Sequence, residues 1–92
     1  MTKVFNRTVL GLCDAYDYLV GMISELNRFG GETGELYDLR DRILDHLADV
    51  SKLPRDTPVL CVGVRLLFMD CPEQALSPAG IRLLNECCGT AN

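Results

Sequence analysis

The chain has 92 residues, 48% of them hydrophobic and 24% charged, with a formal charge of -4 and a pI near 4.7. That length predicts a single domain spanning 1–92 with one core, and the composition excludes a disordered chain. The nine Lys and Arg are scattered along the sequence, whereas nucleic-acid binders gather such residues into a patch facing phosphates, so no direct nucleic-acid binding is expected.

The opening "MTKVFNRTVL" lacks the apolar stretch and small-residue cleavage site of a secretory signal, so the expected location is cytoplasmic, where thiols stay reduced. Residues 3–29 read as one long helix. Phe5, Val9, Leu12, Tyr16, Leu19, Ile23 and Leu26 recur at alternating spacings of four and three, a continuous apolar seam. A second stripe of Tyr18, Met22 and Phe29 makes this helix apolar on more than one face. It could bury the last helices, or form a homodimer through the first helix. Gly11 and Ala15, one turn apart, predict the close approach of another helix.

"FGGETGE" ends this element, because Gly30 and Gly31 suit a helix C-terminus. The next helix is predicted over 34–52 with Thr33 as its N-cap and Leu36, Leu39, Ile43, Leu47 and Val50 as its stripe. Two seams joined by a short glycine turn predict an antiparallel hairpin. "KLPRDTP" is the one linker. Beyond it, Thr57-Pro58 and Ser77-Pro78 each read as an N-cap followed by proline, predicting shorter helices at 58–69 and 78–88, with Gly89 ending the second. A short strand at 59–64 is the rival reading for the third segment. The fold class is therefore all-α, with α+β as the alternative. The most apolar run, Val59 to Met69, is too short to span a membrane and contains Arg65.

Five cysteines lie at positions 13, 61, 71, 87 and 88 without a C-x-x-C pair. Adjacent Cys87 and Cys88 would point about 100° apart on a helix and would not readily share an ion. Cysteine otherwise behaves as a small buried hydrophobe, and one of the final pair is expected beside Leu84 in the core. No metal ligands and no cofactor are expected. A thiol-based metal-binding or redox-sensing protein is the alternative functional class. His46, between Asp45 and Asp49, reads as a histidine at the edge of the second seam bonded to a neighbouring acid. No nucleophile motif accompanies it, so no catalytic residues are assigned and no enzyme is expected.

Residues 30–53 hold six acids against three bases. Asp38, Asp41, Asp45 and Asp49 follow at spacings of three, four and four and share a helical face, where like charges oppose one another. This strip, with Tyr18 and Met22, is the predicted partner-binding surface, directed at a basic protein patch. The expected function is a small acidic protein-binding module that acts by occupying a partner. By size and charge it is comparable to the adaptors and inhibitors that phages and mobile elements direct against host nucleic-acid-binding complexes.

Overall fold

The computed structural model describes residues 5–55, 59–69 and 76–87. These form four helices, α1 (Val9–Phe29), α2 (Gly34–Ser51), α3 (Leu60–Phe68) and α4 (Pro78–Cys87). The all-α expectation holds, and the segment 59–64 begins a helix rather than a strand. Helix α3 carries Val62, Gly63 and Val64, which are poor helix formers. Its helicity therefore comes from burying Leu60, Cys61 and Val64 on one side rather than from propensity.

Helices α1 and α2 pack against each other across the turn at 30–33, while α3 and α4 each lie on both of them. Among the described residues, no Cα of α3 comes within 8 Å of one in α4. The core gathers Leu12, Leu19, Ile43, Leu47, Leu60 and Val64, all fully buried. Each such side chain contributes about 1.5–3 kcal/mol by leaving water. Tyr16, Leu36 and Val50 pack against its edge, so the two predicted seams do face the core.

The start of α1 departs from expectation. The helix begins at Val9, with Thr8 as N-cap accepting a hydrogen bond at Oγ1 from the Gly11 amide at 3.2 Å. Phe5 is buried, yet its ring meets Tyr18 edge-on at 5.8 Å between centroids. In a continuous helix those residues would stand roughly 20 Å apart. Residues 5–8 therefore double back along α1. Gly11 serves this reversal rather than an approaching helix, since a side chain there would overlap the Asn6 carbonyl. Predicted residues 3 and 4 lie outside the described residues.

The other ends follow the physics of caps in different degrees. Gly30 closes α1 at φ 74°, its amide bonded to the Leu26 carbonyl, as expected of a residue without a Cβ. Thr33 occupies the N-cap of α2 but makes no side-chain cap bond. Lys52 closes α2 in the left-handed region at φ 63°, which costs a side-chain-bearing residue about 1–2 kcal/mol. Ser77 caps α4 as predicted, its Oγ accepting from the Gly80 amide at 3.2 Å, with Pro78 in the first turn. Helix α3 starts at Leu60 behind Val59, two residues later than the proline pattern implied. Thr57, Pro58 and Gly89 lie outside the described residues.

Candidate functional site

The acidic face of α2 is largely occupied from within. Asp38 lies 3.9 Å from Arg42, and Asp41 lies 3.3 Å from Arg40 and 3.4 Å from Arg55. Asp45 also pairs with Arg55. Of the four aspartates, only Asp49 has no ion pair among the described residues. Arg55, from the linker after α2, folds back over two of the four acids, so the field the strip presents to a partner is weaker than its sequence implies. These pairs are between exposed groups and contribute about 0–1 kcal/mol each.

Tyr18 and Met22 lie on the outward side of α1. Tyr18 is 38% exposed, Met22 is half-buried and Phe29 is 78% exposed. Tyr18, Gly21, Met22, Glu25 and Leu26 line an open apolar groove of about 510 Å³. Gly21 forms its floor, where an added Cβ would meet nothing within 4 Å. Glu25 supplies the charge at its rim. It is itself exposed and 3.7 Å from Arg28. No family, characterised protein or solved structure matches this chain.

A second outward surface was not recognised as such from sequence. Val62, Leu66 and Leu67 on α3, with Val59 and Met69 at its two caps, are each more than half exposed. The only charged residue of that helix, Arg65, turns back to α1 and binds Asp14 at 2.5 Å and Asp17 at 3.1 Å. The spacing of three, four and three was visible in the sequence. An apolar seam ordinarily signals burial, but α3 has two apolar sides and only one can face the core.

Cys13 and Cys61, from α1 and α3, lie buried and in contact. The Cys13 thiol donates to the Cys61 sulfur, and that bond together with burial pushes its pKa well up. A thiol held protonated in a core is a poor nucleophile and metal ligand. Cys87 is also buried, in the helix that carries Leu84. Cys71 and Cys88 lie outside the described residues. Among the described residues no three Cys, His, Asp or Glu side chains converge as metal ligands.

His46 lines a shallow pocket with Arg42, Asp45, Ala79, Arg82 and Leu83. Its Nε2 is packed against α4 at Gly80 and has no hydrogen-bond partner among the described residues. The bond to a neighbouring acid that the sequence suggested is not formed by this nitrogen. Gly80 and Cys87 stand seven residues apart on α4, roughly 10 Å along its axis, so the histidine at Gly80 is remote from that thiol. No described helix is long and apolar enough to cross a membrane.

Proposed function

We propose that the protein is a non-enzymatic protein-binding module, an adaptor or inhibitor, that seats an apolar side chain of its partner in the groove of α1. The observation that carries this reading is the groove itself, an apolar concavity floored by Gly21 on an exposed helix face. A helix lays apolar anchors into such a groove, and the fit of a few anchors dominates affinity. Glu25 at the rim and the charge of -4 on the chain favour basic residues beside the anchor. The acids of α2 add to this at a distance, tempered by Arg42 and Arg55.

Selection of binders from a random peptide library tests the reading. Selected peptides should carry a large apolar residue flanked by Lys or Arg. Gly21→Leu fills the groove from a position with open space around it, so it should leave helicity unchanged and weaken those peptides at least about tenfold. Peptides that bind Gly21→Leu and the native chain equally would overturn the proposal.

A further inference from the structure

The outer seam of α3 reads the same in both directions. Val59, Val62, Leu66 and Met69 are spaced three, four and three. When two such helices are laid antiparallel about a two-fold axis at Val64, Val59 of each meets Met69 of the other, and Val62 meets Leu66. This is the condition for an isologous interface, in which one residue contacts a second and the second contacts the first. These are also the alternating three- and four-residue steps that let knobs enter holes between paired helices. From this we infer that the protein forms an antiparallel homodimer through α3.

Charge supports a second copy as the occupant. A partner recognised by polarity would need charged groups on this face, and among the described residues it has none, since Arg65 is engaged by Asp14 and Asp17. The outer face of α1 is less suited to self-pairing, because Asp14, Asp17, Glu25 and Arg28 interrupt it. The α3 face exposes on the order of 400–500 Å² of apolar side chain per copy, about the largest patch a soluble monomer carries. Pairing two copies buries on the order of 900 Å², the size of a reversible contact rather than a permanent one. The dimer is therefore concentration-dependent. It also strengthens with added salt, because each copy brings a charge of -4 and screening relieves their repulsion. A dimer would hold two α1 grooves in one particle.

Sedimentation equilibrium of the full chain in reductant, across a wide concentration range, tests this directly. The expected result is a monomer–dimer equilibrium that shifts towards dimer in high salt. Leu66→Asp should weaken it at least about a hundredfold while circular dichroism shows the helices retained, and Leu66→Ser should weaken it less. Register is read by mixing Val62→Cys protein with Leu66→Cys protein under mild oxidation and mapping the disulfide by mass spectrometry. The 62–66 cross-link should exceed 62–62 and 66–66. A wild-type monomer at every concentration, a dimer indifferent to Leu66→Asp, or dominant like-to-like cross-links would each overturn the proposal. So would an α3 face that becomes protected from exchange only when another protein is added. The outcome is independent of the α1 groove, since Gly21→Leu should leave the dimer intact.

Discussion

Arg42 grips Glu86 with both prongs of its guanidinium, at 2.8 and 2.9 Å, joining α2 to α4 across 44 residues of sequence. This bond holds the Glu86 carboxyl below the usual carboxylate range. A group whose pKa is depressed on folding contributes stability above its unfolded value, near 4.3, and loses it as pH falls through the lower folded value. Both partners are substantially exposed, so solvent limits the gain to about 1 kcal/mol or less. Urea melts of Glu86→Gln should show it less stable than the native chain by this amount at neutral pH. The gap should close as pH falls from about 4.3 through the lower folded value, and it should shrink in high salt. A gap that persists undiminished in acid would show that the carboxylate charge is not its source.

The hydroxyls at three helix starts should behave differently from one another. Thr8 and Ser77 each accept a backbone amide hydrogen bond, whereas Thr33 does not. Replacing Thr8 or Ser77 by Ala should each cost about 1 kcal/mol of unfolding free energy, and Thr33→Ala only a few tenths. Thermal or urea unfolding of the three variants provides the comparison. A Thr33→Ala loss as large as the others would mean that its side chain caps α2 after all.

What the sequence disclosed was mostly what helical periodicity can carry. Leu12, Leu19, Ile43 and Leu47 repeat on one face over many turns and all reach the core. Phe5 extends that rhythm by one more step, and so the pattern counts it into α1. Periodicity records which residues are apolar and cannot register that the chain reverses at Thr8. The acids of α2 were legible for the same reason, since they share a helical face. Their neutralisation by Arg55 was not, because that residue sits in a linker without a period and reaches Asp45 only through the path of the backbone. The α3 seam lay in plain view but was ambiguous, since spacing alone does not distinguish an inward face from an outward one.

Glycines of similar appearance in α1 should respond in opposite directions. At Gly11 a methyl group would collide with the Asn6 backbone, and backbone cannot step aside as the end of a flexible side chain can. Gly11→Ala should therefore destabilise the protein by about 1–3 kcal/mol, through displacement of the reversed segment that holds Phe5. At Gly21 the added methyl meets nothing, so Gly21→Ala should stabilise the helix by about 0.5–1 kcal/mol. Lys52→Gly should also stabilise, by relieving the left-handed conformation at the end of α2. Differential scanning calorimetry of the three variants settles the signs, and a stabilising Gly11→Ala would contradict the reversal at the start of α1.

The aspartates of α2 should likewise separate by their partners. Asp41 and Asp45 share Arg55, while Asp49 has no ion pair among the described residues. Arg55→Ala removes the cation that offsets their mutual repulsion, which amounts to a few tenths of a kcal/mol per pair at helical spacing. It should therefore lower stability slightly in low salt and not in high salt. The same change removes the partner of Asp45 and, among the described residues, leaves Asp41 with Arg40 alone, so a short polylysine probe should bind Arg55→Ala more tightly than the native chain. Asp49→Asn in the native chain should weaken that probe more than Asp41→Asn, because Asp41 is already held by Arg40 and Arg55. Titration calorimetry at two salt concentrations reads both effects. If Arg55→Ala and Asp49→Asn leave the probe's affinity unchanged, the acidic face has no part in the proposed docking.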